Sequence, residues 1–522
     1  MKKRKDAIII KTSVRDIYIP KRLLHTTVDK DLELEGTLPD FCPDISRLIR
    51  VDCIPYIDSS DVNGDKCLVT GKVVCSILYE TDYKNKIKSA VFAKDFSHSF
   101  EVQNQNCITP ISEAKIRCSH ISCKMLSPRK FIIKPRMQLD LDVYCNSIFK
   151  TADTQSGDNT FFKTKEITFE KKLPAYTEEF SFDEENSLLS SEKPIGDIVF
   201  GTIRLQPPQV TISGNDAHVK TNAVIKVLYE EENSDNELVM ATKIIPISMT
   251  LSNLDVNESG KINVVLTVTD EKISSELDAY GENRIIKADF TVRAKADMSE
   301  KVSEVVATDL FSTDYINKTE STTVALPMLA ADLERNFAID TVVNPERQFT
   351  FPLFDIDTTI NDVKAELVEG GINLSGEYTT SILGLTADGY ESVDTSGTFN
   401  EFVSLDLPEN VTNVEVNLLP FDNNTTLLPD GNIALRIMVN ARIKAYAEDQ
   451  QTFISNILSQ DPIVKDKETY AVIYYYPSKK DNLWNIAKKY YVNPTIIKNA
   501  NPNAFDEQDQ LKTGTRMVLI KK

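Results

Sequence analysis

The stretch GKVVCSILYE, residues 71–80, is the first of three similar stretches in the chain. The later copies are TNAVIKVLYE, residues 221–230, and GEYTTSILGL, residues 376–385. Each copy is rich in β-branched and apolar residues, and the first two end in the same Leu-Tyr-Glu, as expected for a half-buried strand. The recurrence predicts three related units in one chain.

A second strand-like stretch follows each copy. These stretches are FIIKPRMQLDLDVY (131–144), RIIKADFTVRAKA (284–296) and NIALRIMVNARIKAY (432–446). In the first of them Leu139, Leu141 and Val143 alternate with polar residues, which places one face in a core and the other in water. We therefore predict a multi-domain, mostly β protein whose three units are built from antiparallel hairpins or a sandwich.

Polar runs that interrupt the alternation set the expected domain limits. They lie at 151–160, 317–323 and 459–469, and few contacts are expected to cross them. The predicted organisation is an N-terminal extension (1–20), three β units (21–150, 161–313 and 324–458, the last degenerate), a linker (459–469) and a small α+β domain (470–522), here called the tail.

Charge is distributed unevenly along the 522 residues. The net charge of −19 argues against nucleic acid as the main partner, because neutralising phosphates requires a basic face. The tail nevertheless carries about +5, which leaves about −24 on the rest of the chain. This asymmetry predicts an anionic surface or an acidic protein as the partner of the tail, or else an incidental basic domain.

Cysteine and the N-terminus bear on the compartment. All eight Cys fall between Cys42 and Cys145, a clustering that favours reduced thiols in a reducing compartment. The apolar run 7–10 is shorter than the core of a signal peptide or a membrane span. We expect a protein that is kept inside the cell.

Catalytic constellations are not apparent in the sequence. The chain has four His, and CSHISC (118–123) fits no common zinc spacing, so we interpret it as ordinary strand residues. No glycine-rich phosphate loop is present. We predict a protein without catalytic activity, metal or cofactor.

The stretch DNLWNIAKKYYVNPTIIKNANP, residues 481–502, contains the only Trp of the chain. Asp481 is the predicted cap of a first helix. The apolar positions with helical spacing are Leu483, Ile486, Ala487 and Tyr490, which predicts a buried face. Trp484 lies about 100° from that face, on the side of Lys488 and Tyr491, so its ring is expected to be partly exposed. Packing within the tail and recognition of a partner are both open roles for this ring.

A second helix is predicted to follow, with Asn493 as its cap and Pro494 at its first position. Its apolar residues Ile496 and Ile497 are expected to be buried. It ends near Asn501, because Pro502 disfavours helix in the residue before it. Apolar runs at 471–476 and 515–520 complete the order strand, helix, helix, strand.

These residues resemble the LysM domain, over roughly 468–522, through the stretch 481–504 and the closing LKTGTRMVLI (511–520). The resemblance implies a βααβ fold with a groove for N-acetylglucosamine glycans between the loop before the first helix and the loop before the last strand. Lys480 and Asn482 replace the usual Gly and Thr of the family, and Thr513 stands before Gly514 where Pro is common. These departures favour a protein partner over a glycan.

The body resembles the SPOCS domain, a β-rich module of spore-associated proteins, through LPDFCPDISRLIRVDC (38–53) and VTGKVVCSILYE (69–80). The second copy keeps GDIVFGTIRL (196–205), and the third keeps less. SPOCS-like units followed by a LysM domain resemble the SipL-type spore coat morphogenesis proteins. That resemblance implies a non-enzymatic scaffold in the mother-cell cytoplasm, at the forespore surface and spore coat.

The same resemblance implies that the LysM domain binds the morphogenetic ATPase of the coat basement layer, while the β units contact other coat proteins. The partner-binding residues expected on the tail are Trp484, Tyr491, Lys488, Asp481, Asn482 and Ile473. The alternative is a peptidoglycan-binding envelope protein that uses the LysM groove on glycan.

Overall fold

The computed structural model describes residues 14–82, 86–103, 107–154, 159–232, 237–256, 260–345, 347–463, 471–478, 481–506, 510–512 and 516–521. Within them the chain is mostly β-strand and has two short helices. The strands of the first unit are β1 (Val14–Asp31), β2 (Leu34–Thr37), β3 (Ile45–Asn63), β4 (Lys66–Thr81), β5 (Ile87–Glu101), β6 (Cys107–Ser127) and β7 (Lys130–Ala152).

The second unit contains β8 (Thr160–Ser187), β9 (Ile195–Leu205), β10 (Gln209–Ser213), β11 (Asp216–Glu231), β12 (Leu238–Leu251), β13 (Lys261–Leu277) and β14 (Asn283–Ser312). The third contains β15 (Tyr315–Val343), β16 (Thr350–Val368), β17 (Gly371–Thr386), β18 (Gly389–Ser404), β19 (Val411–Leu427) and β20 (Ile433–Pro462). The tail contains β21 (Ala471–Tyr475), α1 (Leu483–Tyr490), α2 (Pro494–Ala500) and β22 (Met517–Lys521).

Each β unit consists of two antiparallel sheets with the same strand order. In one sheet the last strand of the unit pairs with the first and the next-to-last strands, as β14 does with β8 and β13. In the other sheet the repeated stretch forms the middle strand, as β4 does between β3 and β5. The prediction of a mostly β, multi-sheet chain is confirmed.

Alternation along these strands explains why the two sheets of a unit face each other. In β4 the side chains of Val73, Cys75 and Ile77 are buried, and they share a core with Ile133 and Met137 of β7. Removal of such apolar side chains from water contributes roughly 25 cal/mol per Å² of buried surface. The predicted half-buried pattern therefore produces a sandwich.

The sheets that contain the repeated stretches contact each other in a closed ring. Strand β5 contacts β9, β12 contacts β16, and β18 contacts β3. The leucines at equivalent places in the repeats, Leu78, Leu228 and Leu383, pack into one cluster at this junction. The expectation that few contacts cross between units was wrong, because each unit, besides its own core, shares this cluster with the other two.

A second shared core lies where the first strands of the units meet. Ile17 and Ile19 of β1 pack there with residues of β8 and β15. Residues 14–20 are thus strand β1 rather than part of an N-terminal extension. The strand pairs with β7, and its alternating apolar residues are buried because they face the strands of the other units.

The polar run 317–323 is a strand rather than a linker. It belongs to β15 and pairs with the end of β20. Its polarity reflects a solvated strand face, which the sequence pattern does not distinguish from a loop. Of the predicted linker 459–469, residues 459–462 belong to β20, and 464–470 lie outside the described residues.

A buried ion-pair network joins all three units. Asp355 of β16 accepts hydrogen bonds from Arg50 of β3 and Lys226 of β11, each at 2.7 Å. Arg50 also pairs with Asp52 at 2.8 Å. The side chains of Arg50 and Asp355 are 6% and 4% exposed. Burial alone would raise the pKa of Asp355, but the two cations outweigh it and hold the pKa at about 2.

This network borders a central cavity of about 2440 Å³ that residues of all three units line. One disulfide, Cys107–Cys145, joins β6 to β7. Because these strands are antiparallel neighbours, the two Cα atoms lie 5.6 Å apart. The expectation of reduced thiols was wrong for this pair, whereas the other six Cys are free thiols.

Candidate partner-binding site

The tail is a two-stranded antiparallel sheet, β21 with β22, against which α1 and α2 pack. The predicted core residues lie in this contact. Leu483, Ile486, Ala487 and Ile497 are buried, and Tyr490 and Ile496 are half-buried. The helical spacing of the apolar residues therefore identified the buried face correctly.

Asn482, not Asp481, caps α1. Its side-chain oxygen accepts the backbone N–H of Asn485 at 2.8 Å. The Asp481 carboxylate instead accepts hydrogen bonds from the Ser478 N–H at 2.7 Å and the Tyr475 hydroxyl at 2.9 Å. These bonds, the Ser478 N–H foremost, lower its pKa below the usual value. Asp481 thus bonds to Tyr475 and Ser478 rather than to the first turn of α1, and the prediction that it caps the helix was wrong.

Replacing Asn482 by alanine is expected to lower the stability of the tail by about 1 kcal/mol, because the Asn485 N–H loses its acceptor. Thermal unfolding followed by Trp484 fluorescence measures the change. Asn499→Ala provides the matched control, since Asn499 is an exposed residue of α2. Equal midpoints for the two variants would contradict the capping role of Asn482.

The second helix begins as predicted. The side chain of Asn493 accepts the Thr495 N–H at 2.8 Å, and Pro494 is the first helical residue. At the other end Asn501 donates to the carbonyls of Ile497 and Val518, both at 2.8 Å, and accepts the Val518 N–H at 2.7 Å. This buried amide joins α2 to β22 and fixes the helix against the sheet.

Trp484 is half-buried, as predicted, and besides the tail core it contacts residues of the second β unit. Its Nε1 donates to the Asp309 carboxylate at 2.8 Å, and its ring meets Phe311 edge-on, with centroids 5.1 Å apart. The Lys488 ammonium pairs with the other oxygen of the same carboxylate. Two residues expected to bind a partner therefore bind the end of β14, and we call this set of interactions the Asp309 contact.

The electrostatics of Asp309 are set by this contact. Burial would raise the pKa of Asp309, but the hydrogen bonds from Lys488 and Trp484 outweigh it, and the pKa lies below its ordinary value. Phe161 of β8 stacks on Phe311, with ring centroids 5.2 Å apart. The charged carboxylate and the ring form one surface that matches an indole and an ammonium group.

The other two predicted contact residues have structural roles. Tyr491 is half-buried and follows α1 with a left-handed backbone, φ 55°, and its N–H bonds to carbonyls of the last turn. Ile473 packs against the tail core, whereas its neighbours Val472 and Tyr474 are 57% and 58% exposed. Strand alternation explains why the exposed residues are those on either side of Ile473.

Sequence reasoning missed Asp309 and Phe311. They lie about 175 residues from the tail, and no local pattern distinguishes them from other residues of a strand. The opposite charges of tail and body were the available signal. The tail thus contacts an acidic residue of its own chain, Asp309.

The expected glycan groove lies partly outside the described residues. Lys480, Thr513 and Gly514, which border it, are not among them.

Within the described residues no group of three or more His, Cys, Asp or Glu side chains is arranged to hold a metal ion. No helix in the described part of the chain is long and apolar enough to cross a membrane.

Comparison with known proteins identifies the module at the centre of the first unit. Residues 44–126 match the family model described as SipL, SPOCS domain. They span β3 to β6, that is, the sheet with the repeated stretch and the strand that follows it. No curated protein and no solved structure matches the chain. The match supports a SipL-type, sporulation-related protein.

Proposed function

We propose that this protein is a non-enzymatic adaptor of spore coat assembly that works in the mother-cell cytoplasm, at the forespore surface. The tail is a LysM domain that binds the morphogenetic ATPase of the coat basement layer. The β units form the rigid body that this tail extends and contact further coat proteins. The observation that carries the proposal is the match of residues 44–126 to the SipL SPOCS domain.

Charge and geometry support a protein partner for the tail. The tail carries about +5, and its α1 face presents an indole N–H and an ammonium group that are satisfied by a carboxylate beside a phenyl ring. Both groups donate hydrogen bonds and neither accepts them. Acidic protein surfaces offer this combination of acceptor and ring. An N-acetylglucosamine oligosaccharide carries no carboxylate, and peptidoglycan carries carboxylates but no aromatic ring.

Binding measurements on the intact chain test the proposal, with Trp484 fluorescence as the reporter because the chain has one Trp. We expect a saturable change with the purified coat ATPase and none with chito-oligosaccharide. Retention on purified peptidoglycan is expected to be no higher than for bovine serum albumin. A response to the sugar, with none to the ATPase, would contradict the adaptor and favour the peptidoglycan-binding envelope protein.

A further inference from the structure

The α1 face on which the proposed function rests is already in contact with the body of the same chain. Trp484 and Lys488 both bind Asp309, and Phe311 covers one edge of the indole ring. Any partner that uses Trp484 and Lys488 in the same way meets this contact first. The partner and the second β unit therefore compete for one surface.

The polar part of the Asp309 contact is suited to exchange because it is exposed to water, whereas Phe311 is 3% exposed and packs with the core of the tail. The Lys488 and Asp309 side chains are 45% and 35% exposed. Breaking the contact separates one ion pair and one indole hydrogen bond, and it removes Phe311 and Phe161 from the apolar cluster that they share with the tail. The sheet of β8, β13 and β14 keeps its own hydrogen bonds when the tail leaves. The tail core likewise keeps β21 paired with β22.

The body residues also indicate the chemistry of the competing partner. The indole N–H and the ammonium of Lys488 each need an acceptor once Asp309 is displaced, and a carboxylate serves both. Phe311 follows Asp309 by two positions on β14, so the carboxylate and the ring reach the same indole. A partner segment with an acidic residue two positions from an aromatic one reproduces the arrangement.

We infer that Asp309 and Phe311 take the place of the partner in the free chain. They cover the face formed by Trp484 and Lys488 until an acidic and aromatic protein segment displaces them. The inference rests on the proposed function, since it concerns the same surface. Its consequence is that the free chain binds more weakly than its surface allows, because the observed affinity is reduced by the fraction of molecules in the open state. A partner bound to the open tail also leaves Asp309 and Phe311 exposed.

The Asp309→Lys variant of the full chain tests this competition, because it places a like charge against Lys488. We expect the Trp484 emission maximum to move to longer wavelength and acrylamide quenching to increase, both without any partner present. Affinity for the coat ATPase is expected to rise roughly tenfold, as for a face that was open in about one molecule in ten. Asp183→Lys is the matched control, since Asp183 is an exposed carboxylate of β8 that pairs with Lys287.

The two measurements separate the possible failures. Unchanged fluorescence and quenching in Asp309→Lys would overturn the inference, because Trp484 would then not be in contact with Asp309 in solution. A changed fluorescence with unchanged, measurable ATPase affinity would overturn the competition alone. Absence of ATPase binding by either form would overturn the proposed function and the competition with it. Increased quenching together with tighter binding, neither seen in Asp183→Lys, is the supporting result.

Discussion

Replacing Asp355 by alanine is expected to lower the free energy of unfolding by about 3–5 kcal/mol. The substitution removes the carboxylate that pairs with Lys226, and it leaves the buried Arg50 with Asp52 as its remaining close partner, so that the positive charge at this site is only partly compensated. An uncompensated buried charge costs far more than an exposed one, since water does not screen it. Urea unfolding followed by far-ultraviolet circular dichroism measures the loss.

Asp95→Ala is the matched control for this prediction. Asp95 is also ion-paired, to Lys72 at 4.0 Å, but its side chain is 83% exposed. Its loss is expected to change stability by less than about 1 kcal/mol, as is usual for surface ion pairs. Because the Asp355 network joins three units, we expect the Asp355→Ala protein to unfold with an earlier common transition. Separate early loss of the third unit, with the first two unaffected, would contradict the shared core.

In a background in which the Trp484 and Lys488 face is open, replacing Trp484 by alanine is expected to weaken ATPase binding by about 2–4 kcal/mol. That loss corresponds to roughly 30- to 1000-fold in the dissociation constant. The background for this measurement is Asp309→Lys, in which the competing contact is absent. Titration calorimetry or surface plasmon resonance provides the readout, since the variant has no Trp to report.

The same substitution is expected to have a smaller effect in the wild-type background. There Trp484→Ala removes the partner contact and the Asp309 contact together. Loss of the Asp309 contact opens the face and raises the affinity for the ATPase about tenfold, which offsets part of the loss. Tyr280→Ala is the control, because Tyr280 is a 92% exposed aromatic on the β13–β14 turn, outside the tail. Equal losses in the two backgrounds would show that Asp309 and the partner do not compete. Unchanged affinity in both would remove Trp484 from the site.

Local pattern was sufficient for the elements of the tail. Asn493 and Pro494 predict the start of α2, and the spacing of the apolar residues predicts the buried faces of both helices. These signals act within one or two helical turns. The error at Asp481 arose because a neighbouring residue with an equally suitable oxygen took the cap, and the hydroxyl of Tyr475 and the N–H of Ser478 drew the carboxylate away. Capping propensity alone does not separate adjacent candidates.

Domain limits were predicted less well than strands. Polar runs indicate solvated backbone, and residues 318–321 are exposed on both faces of the strand while they are hydrogen-bonded in β15. Residues 14–20 were assigned to an extension, yet Ile17 and Ile19 are buried among the other units. A pattern of residues along one chain does not report which distant strand completes its sheet.

Four properties of the protein could be predicted from its sequence: the strands, their repetition in three units, the buried faces of the tail helices and the opposite charges of tail and body. These properties depend on spacing and composition, which act locally. The tertiary structure alone decided that the three units close into a ring, that Arg50, Lys226 and Asp355 meet, and that Trp484 lies against Asp309. Each of these contacts joins residues more than a hundred positions apart, and their partners are selected by packing and charge after the strands have formed.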